Sequence, residues 1–261
     1  LQRFYLLDTL SGELLVGPTS PPATPGRTLV RLNGDSDPSR PRLTAQRAVP
    51  TSLPAAEHAD MIAWVEELSL RASLGTYKAE PLLPLQPGSM GLSCFAQAGR
   101  RFSVAVTRGF RVTAASHYAP ELGMSVYSIR ICLLSPEEEG GLSAQERGFE
   151  TAQLSTRHWR LLQADGQVEC VDGPGVVGRF PLFREGGWRE DAQRDASGRV
   201  RRGPRCDGLF VYQSQSGRGA TVGFEGEIAM VPGSLDQPAG DEFRVRVARF
   251  PIGLEADEFV M

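Results

Sequence analysis

The sequence predicts a mainly β protein, in which an antiparallel β-sandwich or barrel fills the second half. A smaller α+β segment with one amphipathic helix precedes it. Three observations carry this reading. From residue 102 onward, apolar residues recur at every second position in short runs, the period of a strand with one buried face. Turn residues separate the runs, supplied by 29 Gly and 19 Pro among 261 residues. Only the stretch around residues 61–68 has a helical period instead. Repeated strands with no helical pattern between them close into a sandwich or barrel.

Taken in order, Phe4 to Leu7 and Glu13 to Val16 read as a hairpin around the turn-rich Asp8-Thr9-Leu10-Ser11-Gly12. Residues 17–51 hold seven of the 19 prolines and read as a long irregular segment with one strand at residues 28–32. Met61, Trp64, Val65 and Leu68 recur at i, i+3, i+4 and i+7, which predicts a helix with Glu66 and Glu67 turned outward. Pro54 suits its first turn, and Arg71 with Gly75 suits its end. The proline-rich run from Pro81 to Pro87 reads as a linker, with a boundary near residue 87.

Beyond it, Phe102, Val104 and Val106 alternate with polar or small residues up to the turn Arg108-Gly109, and Phe110 and Val112 continue the pattern. Tyr127, Ile129, Ile131 and Leu133 form a second alternating face. His158 to Gln163 and Gln167 to Val171 flank Ala164-Asp165-Gly166, a strong hairpin signal. Residues 176–182, 209–212, 221–231 and 242–250 complete the strands. In the last two, Glu225 and Glu227 share one face, as do Arg244 and Arg246. Antiparallel pairing would set an acidic row against a basic one. Residues 188–208 carry six Arg and few apolar side chains, and read as a disordered or hairpin-tip insertion with a basic stretch at 198–205.

Composition excludes several function classes. With 28 basic and 31 acidic residues the formal charge is −3, unsuited to holding nucleic acid by phosphate electrostatics. Lys78 is the single lysine and Asn33 the single asparagine, a bias that a GC-rich genome accounts for. The four cysteines form no CxxC pair, and no apolar run is long enough to cross a bilayer. No signal peptide is evident, so the expectation is reduced thiols and a place in the cytoplasm or nucleus. Leu1 already sits at the edge of a strand pattern, and the beginning of the protein is expected to be missing.

Chemistry-bearing motifs are scarce. Gly173-Pro174-Gly175-Val176-Val177-Gly178 matches G-x-G-x-x-G, yet a dinucleotide loop needs a helix after it, and the following residues look extended. Pro174 also lacks an amide that could cradle phosphate. A tight β-loop is the favoured reading, with anion binding by its amides the minority one. His58, His117 and His158 lack metal-type neighbours, and Glu66-Glu67 and Glu137-Glu138-Glu139 read as solvated charge. No catalytic residue, metal site or cofactor is assigned, and no enzyme activity is expected.

Further residues carry a resemblance. Phe110-Arg111-Val112, Tyr127-Ser128-Ile129-Arg130-Ile131, the run from Gln153 to Arg157-His158-Trp159, the glycine loop with Pro181-Leu182, Phe210-Val211-Tyr212 with Ser214, and Gly223-Phe224-Glu225-Gly226 follow one another at matching spacing up to Phe250-Pro251. Over residues 95–254 this resembles the ApaG domain (DUF525). The insertion at 188–208 departs from the family pattern, and so does the lack of its aromatic stretch before Tyr127. The resemblance implies a fibronectin-III/immunoglobulin-like sandwich, and a phosphate-type ligand site at Gly173, Gly175, Gly178 and Arg179. Arg157, His158, Trp159, Tyr212, Gly223 and Gly226 hold the family-motif positions.

Residues 1–80 resemble the C-terminal part of an SMI1/KNR4-like (SUKH) domain, with 81–94 as linker and 95–255 as ApaG domain. That order is similar to the F-box type of the family, in its plant and algal branch. It implies a non-catalytic interaction module that recruits a protein substrate to a Skp1–cullin–F-box ubiquitin ligase. Skp1 would be met through an F-box not present in this chain, and neither nucleic acid nor membrane would be a partner. The alternative is a protein that binds phosphate, pyrophosphate or nucleotide. The third option, an adaptor like polymerase-delta-interacting protein 2, is disfavoured because the first half lacks the look of the YccV-like domain found there.

Overall fold

The computed structural model describes residues 3–7, 14–18, 30–31, 61–81, 90–119, 124–190, 193–194, 200–201, 203, 205–216 and 221–253. Strands β1 (Arg3–Leu7), β2 (Leu14–Pro18) and β3 (Val30–Arg31) form one antiparallel sheet in that order, as the hairpin pattern predicts. The turn expected at residues 8–12, most of the proline-rich segment and Pro54 lie outside the described residues.

Helix α1 (Met61–Ser73) is where it was expected and ends as expected. Gly75, at φ +75°, lets Thr76 donate to the Arg71 carbonyl and Gly75 to that of Ala72, a Schellman stop. Glu66 is exposed as expected, but two neighbours depart from the expected faces. Val65 is 43% exposed, whereas Glu67 is buried beside Arg71, whose Nε donates to its carboxylate at 2.8 Å. A carboxylate and a guanidinium at i and i+4 neutralise each other, so the pair can be buried where Glu67 alone could not. Beyond the helix, β4 (Ala79–Pro81) pairs antiparallel with β5 (Met90–Leu92), drawing together the two ends of the expected linker. Gln97 donates to the Thr76 carbonyl, and Tyr77 and Phe95 are buried.

The remaining elements are β6 (Phe102–Thr107), β7 (Phe110–Ala119), β8 (Met124–Leu133), α2 (Ala144–Arg147), β9 (Thr151–Gln163), β10 (Val168–Pro174), β11 (Pro181–Arg184) and β12 (Gly187–Glu190). After them come the two-residue strands β13 (Gln193–Arg194) and β14 (Val200–Arg201), then β15 (Arg205–Asp207), β16 (Phe210–Ser216), β17 (Thr221–Pro232) and β18 (Phe243–Pro251). One antiparallel sheet runs β16-β8-β7-β6. The other runs β15-β12-β11-β9-β17-β18, with β10 also paired to β9. Their facing sides meet in one core, where Phe110 lies edge-on to Phe183 at 5.4 Å and Phe183 to Phe210 at 5.9 Å. This is a β-sandwich.

Most strand expectations hold, with three refinements. Val104 and Val106, the apolar side of the β6 alternation, are 47% and 44% exposed. The polar side of β6 faces β18 instead: Ser103 Oγ donates to the Ala248 carbonyl, and the Arg246 amide donates to Thr107 Oγ1. These bonds close one seam of the sandwich. The strand expected at residues 176–182 begins at Pro181, because Val176 to Arg179 form a turn. The insertion is a hairpin: Gly187 pairs with Asp207, and Arg194 with Val200 further out.

Strands β17 and β18 do pair antiparallel, with Glu227 opposite Arg246. Glu225, however, is held from the other side, by Arg160 of β9 at 2.8 Å. Helix α2 is not among the elements that the hydrophobic periodicity predicts. Its signal is the capping box Ser143-Ala144-Gln145-Glu146, in which Ser143 Oγ accepts from the Glu146 amide and the Glu146 carboxylate accepts from the Ser143 amide. None of the four cysteines is in a disulfide.

Candidate functional site

The glycine loop follows from β9 and β10. A bulge in β9 leaves Ser155 out of the register with β17, between Thr156 opposite Ala229 and Leu154 opposite Met230, although its hydroxyl donates to the Ala229 carbonyl. The Ser155 carbonyl accepts from the Gly175 amide at 2.9 Å. Val176 and Arg179 then bond each other in both directions at 2.9 Å, closing a two-residue turn whose central residues Val177 and Gly178 have φ +49° and +71°. Positive φ at both central positions is the type I′ pattern. Gly175, at φ +58°, could not carry a Cβ, since that atom would lie 2.6 Å from the Arg179 carbonyl oxygen. Gly173 has a different reason: a Cβ there would come within 3.0 Å of the Arg157 guanidinium.

This geometry leaves little for an anion. The Gly175, Val176 and Arg179 amides have internal acceptors, and the Phe180 amide donates to Glu190 Oε1 at 2.8 Å. Within the loop, Val177 and Gly178 remain as the outward amides. Arg179 donates through Nε to Glu190 Oε2 at 2.9 Å, and its guanidinium lies 5.0 Å from the Trp188 ring and 4.8 Å from the Phe210 ring. Arg157 donates to the Pro174 and Gly175 carbonyls at 3.0 and 2.8 Å. Both cations hold the loop in place.

Val177 is itself informative. A β-branched residue in the left-handed region is strained by about 1–2 kcal/mol, and this one is 60% exposed at the turn tip with φ +49°. Val177→Asn is therefore expected to raise stability by about 1 kcal/mol, read as a higher denaturation midpoint with an unchanged slope. A midpoint at or below that of the parent protein would contradict the turn geometry.

The motif residues of β9 split between two faces. His158 lies on the outer face, where Nδ1 meets Asp172 Oδ1 at 2.8 Å and Nε2 meets Thr156 Oγ1 at 3.0 Å. A carboxylate accepts, so Nδ1 is the donor toward Asp172, and Nε2 shares a hydrogen bond with the threonine hydroxyl. The row is flat sheet surface: Asp172 is across β10 and Glu227 across β17. Trp159 is buried on the inner face, 5.2 Å from Phe224. Gly226 sits opposite it, and a Cβ there would lie 2.2 Å from the His158 carbonyl oxygen and 2.6 Å from Trp159 Cε3. Gly223 is less crowded, with Arg249 Nε at 3.1 Å from a built Cβ. Tyr212 is buried under Tyr127, edge-on at 6.4 Å. Burial raises both phenol pKa values; Tyr127 raises Tyr212 further, and the Arg157 charge opposes both shifts.

Sequence reasoning missed a concavity of the sandwich. A cleft of about 820 Å³ opens between the β9–β10 hairpin and the β16 side of the other sheet. Tyr127, Trp159 and Phe224 form its floor, and Gln163, Gln167, Gln215 and Glu169 stand on its walls. These residues come from five strands and the β9–β10 turn; Tyr127, Trp159 and Phe224 stand in the resemblance motifs, but nothing local joins those motifs into one cleft. Among the described residues no group of three or more His, Cys, Asp or Glu side chains could hold a metal ion, and no helix is long and apolar enough to cross a membrane.

Known proteins place this architecture. Residues 120–189 match the ApaG domain, DUF525. The F-box protein SKIP16 of Arabidopsis thaliana is 29% identical over 263 residues, covering 97% of this chain and 50% of that protein. The protein ApaG of Acidithiobacillus ferrooxidans is 37% identical over 95 residues, 34% of this chain and 72% of its own. Human F-box only protein 3 is 34% identical over 90 residues, 32% of this chain and 17% of its own. The chain thus spans half the length of the F-box protein that it matches from end to end.

Proposed function

Since the chain belongs to the ApaG domain family, we propose that it is the substrate-recruiting part of an F-box protein, presenting a rigid β-sandwich to a protein substrate of a Skp1–cullin–F-box ubiquitin ligase. The observation that carries this is the reach of the similarity. The match to F-box protein SKIP16 extends over 97% of the chain, far beyond the residues of the ApaG domain, whereas the bacterial ApaG protein matches 34%. On this reading residues 1–80 complete an SMI1/KNR4-like domain, 81–94 connect it, and 95–255 are the ApaG module. Skp1 would be met through an F-box outside these residues, and the transfer chemistry would be done by other subunits, in the cytoplasm or nucleus.

The glycine loop supports an interaction role better than a phosphate site, because its cations and most of its amides are already engaged by the protein. The test is co-purification of the full-length protein with Skp1 and cullin, with and without residues 95–255. The expected result is Skp1 association in both, with turnover of the captured substrate lost on deletion. Failure of the full-length protein to bind Skp1 would sink the reading. Saturable binding of pyrophosphate at micromolar concentration, abolished by Arg179→Ala, would favour the phosphate alternative.

A further inference from the structure

The two seams of the sandwich are unequal. Side-chain bonds from Ser103 and Thr107 close the β6–β18 seam. On the opposite side, Trp188 Nε1 donates to the Leu209 carbonyl, and the Trp188 ring meets Phe210 edge-on at 4.8 Å, which closes the lower half. The upper half is the cleft. Strand β10 pairs with β9 alone and β16 with β8 alone, so among the described residues each borders the cleft with a main-chain edge that no strand covers.

We propose that the cleft is a peptide-docking site, taking an extended, non-acidic segment of a partner protein. Its main chain would add to the free edge of β10, and one of its apolar side chains would lie over Tyr127, Trp159 and Phe224. An uncovered edge offers amide and carbonyl groups at the spacing of a strand, which is what an extended peptide matches and a compact small molecule does not. The wall residues Gln163, Gln167 and Gln215 each carry a donor and an acceptor, the pairing that a peptide unit presents. Val168, 42% exposed at the rim, and Val171 offer apolar contact on the β10 side. Among the described residues of the lining, Glu169 alone is charged at neutral pH, so this wall disfavours acidic segments and the described lining offers no cation to a nucleic-acid backbone.

This inference rests on the recruiting-module reading only for what the peptide belongs to, and its test needs no Skp1. A phage-displayed library of random 12-residue peptides is panned against the full chain, and enriched peptides are then measured on variants. Val168→Arg with Gln215→Arg puts bulk and charge on both walls at exposed positions, where substitutions leave stability nearly unchanged. Unaltered melting of that variant is checked first. Enriched peptides carrying a bulky apolar residue and few acids are expected, with at least tenfold weaker binding to the double variant and unchanged binding to Val104→Arg on the other sheet. Binding should also slow hydrogen exchange along residues 168–172. No enrichment, or enriched peptides indifferent to the double variant, would overturn the proposal. So would glycan-array binding that the double variant abolishes in the absence of peptide binding.

Discussion

Gly226→Ala is expected to destabilise the protein by about 3 kcal/mol, the upper range for overpacking a tight site. At this chain length that is a fall in Tm of about 6–12 °C. The added methyl group would stand 2.2 Å from the His158 carbonyl oxygen and 2.6 Å from Trp159 Cε3. Neither neighbour can retreat cheaply. The carbonyl belongs to β9, which is bonded to β10, β11 and β17 together, and the indole is buried against Phe224. The comparison that isolates this effect is Gly240→Ala, whose Cβ would come no nearer than 3.4 Å to Pro232. That variant should melt within a degree or two of the parent protein. If Gly226→Ala melted with it, the close approach of β9 and β17 would be wrong.

Gly226 also marks what could and could not be read from the sequence. Its type, and its place in Gly223-Phe224-Glu225-Gly226, were visible as motif positions. The tryptophan ring that requires it lies 67 positions earlier, and only the pairing of β9 with β17 brings them together. The same division holds elsewhere. The faces of β8 and the β9–β10 hairpin were legible because period two and an Asp-Gly turn act locally. Strands β17 and β18 pair as expected, but of the acidic and basic rows only Glu227 and Arg246 stand opposite each other: Arg244 lies opposite Ala229, and Glu225 takes Arg160 of β9 as its partner. On α1 the periodicity placed the helix and the exposed Glu66 but not the burial of Glu67, because a hydropathy pattern cannot show that Glu67 and Arg71 are buried as a pair. The glycine loop was legible as a tight turn. Whether its amides were available to a ligand depended on Ser155 and Glu190, acceptors from other strands. The floor of the cleft, Tyr127, Trp159 and Phe224, was legible as motif positions, but not as one cleft, since strands from residue 127 to residue 224 build it.

Phe224→Ala should cost about 3–5 kcal/mol, the range for deleting a fully buried aromatic ring. Phe224 is 1% exposed and stands where the two sheets meet beneath the cleft, with ring centroids 4.9 Å from Tyr127, 5.1 Å from Phe250 and 5.2 Å from Trp159. Urea unfolding should show a lower midpoint with little change in slope, because the surface exposed on unfolding is nearly the same. A loss below 1 kcal/mol would mean that the ring is not a joint of the core. The sharper test combines it with Gly226→Ala. Both substitutions act on Trp159, one by crowding its ring and the other by opening space beside it. The double variant should therefore lose less stability than the two single losses together, by about 1 kcal/mol or more, as expected for residues sharing a contact. Simple additivity would show that the indole does not transmit the strain of Gly226→Ala, and that the floor of the cleft is built from independent contacts.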